Sequence, residues 1–510
     1  MEAIEKKCAT EKSLRELKVK FAGNSGKLVP NSELVKAYLR LLRLKKIKAQ
    51  PFLEKILKKS RIRTLSGVSP IAVLTKPSGC PGECVFCPSE KGMPKSYLSN
   101  EPAVMRAMRA KFDPWQQVRD RLQALTACGH ETSKIELIVM GGTFSAHPHN
   151  YQSWFIRRCF EALNSRKAKS GSLEALKKAN EKSKHRVIGL TLETRPDFIS
   201  PEEVQRFLKL GCTRVEIGVQ SLSDKILQKV KRGHDVQSSI QAIRLLKTAG
   251  LKVGIHIMPN LPLATPESDF KMFEKIFDDP DFKPDQLKIY PTVLVENAEL
   301  KKWWQQKKWQ PYSDAVLTKL LAKVKAITPP WVRLTRIIRD IPAESILAGS
   351  RLTNLRQILQ QKNVQCQCIR CREIRADDFD VKKVKLLKKE YIASNGREFF
   401  LSFEVAGKLI SLLRLRLPAS EKVNPMLKRG VNFTLVRELH TFGAELGISQ
   451  HGKSGQHRGF GKKLILEAEK ITRKNGFKKL KIISGVGVRE YYRKLGYRLD
   501  AEKIYMEKGL

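Results

Sequence analysis

The chain has 510 residues, of which 41% are hydrophobic, so it is long enough to form more than one domain with its own core. It carries 97 Lys and Arg residues against 51 Asp and Glu residues, which gives a formal net charge of +46. No apolar run of about 18 residues occurs, and the N-terminus lacks the apolar segment of a secretory signal, so we expect a cytoplasmic protein without membrane contact.

The positive charge has two interpretations, a lysine-rich solvated surface or a polyanionic partner. Neutralising phosphates releases condensed counterions and so favours association with nucleic acid. Near the N-terminus, residues 39–50 (LRLLRLKKIKAQ) and 54–63 (EKILKKSRIR) mix cations with aliphatic residues at helical spacing. We therefore predict that residues 1–65 form a basic helical segment, although charge alone does not separate RNA from DNA or from an anionic membrane.

From about residue 70, strand-like and helix-like patterns alternate. The strand candidates are 71–75, 135–140, 187–192, 214–219, 252–258, 286–290 and 331–337, and the helix candidates include 102–127, 201–210, 235–249 and 312–327. Such alternation indicates βαβ units and a parallel sheet. We predict an α/β fold with a full or partial TIM-type barrel over residues 66–345, whose chemistry lies at the C-terminal ends of the strands.

The loop after the first predicted strand, KPSGCPGECVFCPSEKG, contains Cys80, Cys84 and Cys87. A closed zinc site usually needs four ligands and no histidine lies nearby, whereas a redox C-x-x-C pair would leave Cys80 without a role. Three thiolates on a 4Fe-4S cluster would leave one iron open for a substrate or cofactor. The C-x3-C-x2-C spacing, with the aromatic Phe86 before the last cysteine, resembles the motif of radical S-adenosylmethionine (SAM) enzymes.

Other unusual residues follow later strands at the same predicted edge. Gly141, Gly142 and Thr143 follow the second strand, and Glu193 follows the third. In radical SAM enzymes a glycine-rich turn after the second strand meets the methionine amino group, and an acidic residue often holds the ribose hydroxyls. The resemblance therefore implies that Gly141, Gly142 and Glu193 bind SAM, that SAM supplies the radical chemistry, and that an electron donor serves the cluster.

A second group of cysteines, Cys366, Cys368 and Cys371, lies where the periodicity weakens, and we interpret residues 346–378 as a connector. These thiols either bind a structural metal such as zinc or remain reduced thiols in the connector. Three thiolates need a fourth ligand, for which His256 is a candidate, although its strand position is also typical of a core histidine. The scattered Cys128, Cys159 and Cys212 are interpreted as small buried hydrophobic residues, and Cys8 is a further isolated cysteine.

Residues 379–510 show the pattern of an α+β domain. A hairpin over 397–418 turns at Ala406-Gly407, and it is followed by a strand at 433–442, a helix at 462–476 and a strand at 479–484. The segment QHRGFGKKL (456–464) resembles the pyrophosphate loop of GNAT acetyltransferases, in which backbone N–H groups and a helix N-terminus hold acetyl-CoA. In such a fold Gly459 and Gly461 permit close approach of the backbone, and Tyr491 and Tyr492 lie near the thioester.

Together these halves resemble the Elongator catalytic-subunit family from about residue 60 onward, on motifs such as VMGGTF, LETRPD, IHIMPNLP, VRELHTFG and ISGVGVREYYRKLGYRL. The resemblance implies contacts to acetyl-CoA from Lys134, Glu438, Leu439, His440, Thr441, Gln456, His457, Arg458 and Tyr492. It also implies carboxymethylation of uridine 34 in the anticodon stem-loop of tRNA. In that scheme a radical derived from SAM takes a hydrogen from the acetyl methyl group, the carbon radical adds to C5 of the uridine, and thioester hydrolysis leaves the carboxymethyl group.

The alternative is a protein lysine acetyltransferase whose barrel is only structural. The complete set of Cys80, Cys84 and Cys87 disfavours it, because a structural barrel needs no cluster. One departure from the family is the short gap between Cys80 and Cys84, which many members lengthen; it keeps the three ligands but changes the loop. Whether other Elongator-type subunits assemble with the chain is not readable from the sequence.

Overall fold

The computed structural model describes residues 10–22, 28–44, 46–48, 50–57, 66–164, 171–375, 377–418, 432–443 and 459–510. Its N-terminal part contains the helices α1 (Glu11–Ala22), α2 (Asn31–Arg43) and α3 (Pro51–Leu57). Their apolar faces meet in a small cluster that includes Leu14, Val35 and Leu53. Within the described residues, none of the helices combines the length and the apolar character needed to cross a membrane.

The next part is built on parallel strands that alternate with helices. The strands are β1 (Ser69–Leu74), β2 (Lys134–Met140), β3 (Arg186–Thr194), β4 (Arg214–Gln220), β5 (Lys252–Ile257), β6 (Gln286–Ile289), β7 (Leu294–Val295), β8 (Arg333–Arg336) and β9 (Ile346–Ala348). In the described part of the chain, one seven-stranded sheet runs in the order β1-β2-β3-β4-β5-β6-β8, all parallel, and β7 pairs with β9 separately. Since β1 and β8 do not pair with each other, the barrel is open, and the prediction of a partial α/β barrel is confirmed.

Helices follow the strands and pack around this sheet, most of them on its outer face. They are α4 (Pro102–Arg109), α5 (Pro114–Ala127), α6 (His149–Leu163), α7 (Leu173–Asn180), α8 (Pro201–Leu210), α9 (Asp224–Lys229), α10 (Val236–Thr248), α11 (Pro266–Asp278), α12 (Leu300–Gln305) and α13 (Asp314–Ile327). Side chains such as Leu137, Leu190 and Phe273 are fully buried between the two layers. The sheet is therefore a rigid platform for the loops at its C-terminal edge.

The predicted single helix over 102–127 is wrong, because the chain breaks it into α4 and α5. Lys111 and Phe112 take positive φ angles of 49° and 56° between the two helices. Asp113 then starts α5, since its side chain accepts a hydrogen bond from the Gln116 amide, and Pro114 occupies the first helical turn. An Asp-Pro start of this kind is a recognised helix-start signal.

After the open barrel, α14 (Leu355–Gln361) and α15 (Ile369–Arg372) lead into a second sheet. Its elements are β10 (Lys385–Ala393), β11 (Gly396–Val405), β12 (Lys408–Pro418), β13 (Phe433–Thr441), α16 (Phe460–Lys474), β14 (Lys479–Ile483), α17 (Arg489–Arg493), β15 (Arg498–Leu499) and β16 (Tyr505–Gly509). This mixed sheet has the order β10-β11-β12-β13-β14-β16-β15 in the described residues. The β11–β12 hairpin turns at Ala406-Gly407, as predicted.

The two sheets meet through a buried network of charges and not only through apolar packing. Asp285, just before β6, lies 2.6 Å from Arg437 of β13 and 3.4 Å from Arg414 of β12. Glu398 of β11 completes the network at 3.1 Å from Arg437. Charged groups without exposure to water are tolerated only when they are paired, so this network fixes how the halves face each other.

Candidate active site

A cavity of about 630 Å³ opens at the C-terminal edge of the parallel sheet and continues into the barrel interior. Cys80, Cys84 and Cys87 line it together, so the loop after β1 brings the three cysteines of the first motif to one wall. The loop is held by backbone hydrogen bonds from the Val85 amide to Val230 and from the Leu300 amide to Val85. It is thus an ordered part of the fold.

The cysteine loop lies beside guanidinium groups, and these favour the thiolate form of Cys84. The Cys84 sulfur is 3.5 Å from Arg232 Nη1. A hydrogen bond from Cys87, opposed by burial and helped by Arg232, lowers the pKa of the Cys84 thiol to about 5. Because thiolate and not thiol is the form that binds a metal, Cys84 is prepared to act as a ligand.

Arg195 adds a second guanidinium to this wall. Its Nε and Nη2 atoms donate to Asp197 at 2.9 and 2.8 Å. Its Nη1 atom is buried and has no hydrogen-bond partner among the described residues, and the side chain lines the cavity. A buried donor without a partner is costly, so this atom is a built-in contact for an anionic group in the cavity.

The glycine turn after β2 lies against the start of the cysteine loop. Gly141 has a φ of 137°, and a Cβ atom there would overlap the hydroxyl of Thr75. Gly142 and Thr143 line the cavity, and the Thr143 hydroxyl is 3.6 Å from the Cys80 sulfur. Gly142 and Thr143 therefore bring the turn to the cavity wall that also carries the cysteines, while Gly141 has no room for a side chain.

Glu193 lies within the last two residues of β3 and points into the barrel. Its carboxylate accepts hydrogen bonds from the Tyr97 hydroxyl at 3.0 Å and from Lys288 Nζ at 3.2 Å. Lys288 also pairs with Glu216 of β4. Burial alone would raise the pKa of Glu216, but Lys288 and the neighbouring His256 hold that pKa well below its usual range.

His256 does not lie near the second cysteine group, so it is not the candidate fourth ligand. Its Nε2 atom lies 3.1 Å from Glu216, inside the barrel, and its ring packs edge-on against Tyr290. The sulfurs of Cys366, Cys368 and Cys371 do lie within 4.8 Å of one another, and in the described residues no fourth His, Cys, Asp or Glu joins them. The β5 position turns His256 inward, which explains the error.

The Cys366–Cys371 group is packed against the end of the parallel sheet. Cys368 is fully buried, and the amide of Ile369 donates to the Val332 carbonyl just before β8. Hydrogen bonds from Cys366 and Cys371 hold the pKa of Cys368 well below its usual range. The prediction that Cys128 is buried is wrong, because it is partly exposed, whereas Cys159 and Cys212 are buried as expected.

A second group of predicted residues lies on β13 and at the start of α16. β13 pairs with β14 in parallel only from Phe433 to Val436, so the two strands separate before Glu438, Leu439, His440 and Thr441. Gly459 precedes α16 with a φ of 80°, and Gly461 lies in its first turn. Gln456, His457 and Arg458 lie outside the described residues.

The separated end of β13 abuts the N-terminal edge of the open barrel. Glu438 pairs with Arg414 at 2.8 Å and with Lys252, the first residue of β5, at 3.5 Å. Burial alone would raise its pKa, but these two cations lower the pKa of Glu438 to about 2. His440 lies 2.8 Å from the Ser66 carbonyl, and Lys134 is the first residue of β2 at the same edge.

The two candidate tyrosines lie side by side on α17 but differ in exposure. Tyr492 is buried in the core of the second sheet, whereas 39% of Tyr491 is exposed. The Tyr491 hydroxyl approaches the start of α16 so closely that a Cβ at Gly461 would lie 2.9 Å from it. Burial raises the pKa of Tyr491 to about 12, so its hydroxyl is protonated at neutral pH.

The geometry also identifies residues that sequence reasoning missed. Arg195, Arg232, Glu216 and Lys288 line the same cavity as the three cysteines. Arg195 is the arginine of the LETRPD segment and follows Glu193 by two residues, so its motif pointed to it. Lys288 and Glu216 alternate with apolar residues inside strands. That pattern does not show from the sequence that their charges face the barrel interior.

Known proteins resemble the chain over most of its length. Residues 75–274 match the model of the Radical SAM superfamily, and residues 284–364 match that of the Radical SAM C-terminal domain. A tRNA uridine(34) acetyltransferase of Methanocaldococcus infernus is 46% identical over 89% of this chain and 88% of its own length. Human Elongator complex protein 3 is 38% identical over 98% of this chain and 93% of its own length.

A solved structure gives the same result. The archaeal Methanocaldococcus infernus Elp3 with an N-terminal deletion superposes with a TM-score of 0.76 at 42% identity. That similarity covers 87% of this chain and all of the solved chain. It therefore includes both the parallel sheet with the cysteine loop and the second, mixed sheet.

Proposed function

Because the chain belongs to the family of Elongator complex protein 3 and the tRNA uridine(34) acetyltransferases, we propose that it transfers an acetyl-derived group to uridine 34 of tRNA. One observation carries this proposal. The chain has both a cysteine-lined cavity at one end of a radical SAM sheet and an opened strand pair at the other end. An enzyme that acts on tRNA by acyl chemistry alone does not need a cysteine-lined cavity of this kind.

Cys80, Cys84 and Cys87 are the residues that would hold the 4Fe-4S cluster. They fit it in donor chemistry, since all three face one cavity and Arg232 favours the thiolate of Cys84. The buried, unpaired Nη1 atom of Arg195 also suits an anionic group on this wall. With cluster and SAM bound, the chemistry supplied is the one-electron cleavage of SAM to a hydrogen-abstracting radical.

The SAM pocket would be formed by the glycine turn and by Glu193. Gly142 and Thr143 line the same cavity as Cys80, so the turn would offer its backbone groups to the polar end of a small ligand. Glu193 faces the same cavity and accepts hydrogen bonds from Tyr97 and Lys288, so its carboxylate is oriented before a ligand arrives. An oriented acceptor is suited to ribose hydroxyls because it needs no rearrangement on binding.

Acetyl-CoA would enter where β13 and β14 separate. From Glu438 to Thr441, β13 still pairs with β12 but no longer with β14, so its backbone groups on the β14 side are left for a ligand. The N-terminus of α16, a helix of 15 residues that begins after Gly459, is suited to a pyrophosphate. The Tyr491 hydroxyl reaches the same helix start and is placed to contact the acyl end of the ligand.

The charge and the open seam of the barrel support tRNA as the substrate, which the names of the relatives suggest. The net charge of +46 favours a polyphosphate partner. The cavity is lined on the β1 side by Arg106 and Arg121 and on the β8 side by Arg333 and Arg336. Enzymes that modify a base take it out of the stack into such a pocket, and the space between the unpaired edges gives it a route.

Cys366, Cys368 and Cys371 would bind a structural zinc ion at the end of the parallel sheet. Their sulfurs are close enough to share one ion, and soft thiolates are the ligands that structural zinc prefers. This ion has no part in the reaction.

The experiment that tests the proposal is nucleoside mass spectrometry of tRNA. tRNA from cells that lack the gene should lose 5-carboxymethyluridine and the nucleosides derived from it, and the wild-type gene should restore them. Cys84→Ala should not restore them, whereas Cys128→Ala, a partly exposed cysteine outside both sites, should. Unchanged nucleosides, together with full lysine acetylation by Cys84→Ala, would instead establish the protein acetyltransferase.

A further inference from the structure

The helix that carries the two tyrosines is held from outside its own sheet. Glu181, which ends α7 on the barrel, accepts hydrogen bonds from Arg489 at 3.3 Å and from Arg493 at 2.6 Å. These arginines are the first and last residues of α17. The side chains of Glu181 and Arg489 are only 7% and 4% exposed, so water screens this ion pair less than one at the surface, whereas Arg493 is 36% exposed.

The turn before α17 is packed into the barrel as well. Gly485 lies so close to β3 that an added Cβ would overlap the carbonyl oxygen of Ile188. Ile483, Val486 and Ile504 are buried in the core of the parallel sheet and its helices, although they belong to the second part of the chain. The base of α17 therefore moves with the barrel.

The other side of α17 faces the acyl-CoA site. The Tyr491 hydroxyl lies over Gly461 in the first turn of α16, with Leu439 of β13 also close to that glycine. The Tyr492 ring contacts the Tyr491 ring edge-on and packs near Tyr497 in the core of the second sheet. One short helix thus joins the carboxylate of the barrel to the start of α16.

We propose that Glu181 is a positioning residue for acyl transfer, acting through Arg489 and Arg493 on the placement of Tyr491. This inference rests on the proposed function, because it assigns the start of α16 to acetyl-CoA. A carboxylate that accepts from two guanidinium groups fixes orientation as well as distance. A helix of five residues has little stability of its own, so α17 depends on such outside contacts for its angle to α16.

The test compares Glu181→Gln with Glu181→Asp in the full chain. The matched control is Glu174→Gln on the same helix, since Glu174 is exposed and pairs only with Lys177 among the described residues. Acetyl-CoA turnover with tRNA gives kcat and KM, and amide hydrogen exchange over residues 486–497 reports on α17 without any cofactor. Because a displaced catalytic group costs rate more than affinity, Glu181→Gln should lower kcat roughly tenfold or more and change KM by less than about twofold.

Three results would support the inference. Amide exchange in α17 should be faster in Glu181→Gln, kcat should recover partly in Glu181→Asp, and Glu174→Gln should behave like the wild type. It would be overturned if Glu181→Gln kept both the kcat and the exchange rates of the wild type. A loss of melting temperature with unchanged kcat would also overturn it, since the contact would then be structural only. If the wild-type chain showed no tRNA-dependent turnover, the proposed function would fail, and the exchange data would still decide whether Glu181 holds α17.

Discussion

Asp269 is a buried carboxyl group at the start of α11. Only 3% of the residue is exposed, and one of its oxygens, Oδ2, accepts hydrogen bonds from the Asn260 amide at 2.7 Å and the Tyr312 hydroxyl at 2.9 Å. Asn260 has a φ of 65° in the loop after β5, so Asp269 holds a strained turn next to the cavity. Burial raises the pKa of Asp269 to about 6 even with these two donors.

Replacing Asp269 with Asn should therefore stabilise the chain at neutral pH relative to acid. With a raised pKa, the acid contributes to stability below about pH 4 and loses that contribution as the pH rises through about 6. Asn keeps an oxygen for both donors and cannot ionise. The free energy of unfolding of the variant, relative to the wild type, should therefore increase by about 1–3 kcal/mol from pH 5 to pH 7.5. Urea unfolding at the two pH values measures this gain, and an equal difference at both would contradict it.

The second cysteine group gives a prediction about metal content. The chain purified without oxygen should carry one zinc ion in addition to its iron, because three clustered cysteine sulfurs offer one ion most of the ligands that structural zinc prefers. Cys371→Ser should lower the zinc content and leave the iron content unchanged, whereas Cys128→Ser should alter neither. Mass spectrometry of the metals checks this, and zinc that survives Cys371→Ser would place the ion elsewhere.

At the scale of the elements, the β11–β12 hairpin contains an unfavourable residue. Ala406 has a φ of 47° and Gly407 a φ of 73°, so both central positions lie in the left-handed region. Such two-residue turns favour Asn-Gly, because Asn tolerates positive φ better than Ala. Ala406→Asn should raise the free energy of unfolding by about 0.5–1 kcal/mol, and Ala406→Val should lower it. Thermal unfolding checks both, and equal melting temperatures would contradict the turn assignment.

The strands and helices also show how much of the fold could be predicted from the sequence. The alternation of apolar runs predicted the strands of the parallel sheet within a few residues, because each strand combines buried apolar residues with turn residues at its ends. The break between α4 and α5 was missed because apolar periodicity continues across Lys111 and Phe112, although Asp113-Pro114 signals a new helix start.

The residues of the cavity could be predicted from the sequence only where they lie in loops or at strand ends. The cysteines, the glycine turn and Glu193 stand at strand ends, where an unusual residue has no packing role and so stands out. Glu216, His256 and Lys288 lie within the neighbouring strands β4, β5 and β6, and the pairing of these strands in the sheet brings them together in one cavity. Interior charges of this kind are paired across strands that are distant in sequence, and a local pattern does not show that pairing.

At the scale of the whole molecule, the relation between the two candidate sites depends on the interface between the sheets. Asp285 and Arg437 are both fully buried there, and Arg437 also donates to the Leu251 carbonyl at the start of the β5 strand region. Burial alone would raise the pKa of Asp285, but Arg437 and Arg414 hold it well below its usual range. The stabilising contribution is therefore present at neutral pH and lost only as the pH falls below about 4.

Replacing Asp285 with Asn should destabilise the chain by about 3–5 kcal/mol, because it leaves Arg437 and Arg414 with an uncompensated buried charge. Asp281→Asn is the matched control, since Asp281 lies four residues earlier and forms a half-exposed pair with Arg244 at 3.4 Å. An exposed pair of that kind contributes about 0–1 kcal/mol. Urea unfolding compares the two variants, and limited proteolysis shows whether the halves separate before either one unfolds. If Asp285→Asn proved no less stable than Asp281→Asn, the charge network would not be what holds the acyl-CoA site against the barrel, and the apolar contacts of Val486 and Ile504 would carry that role.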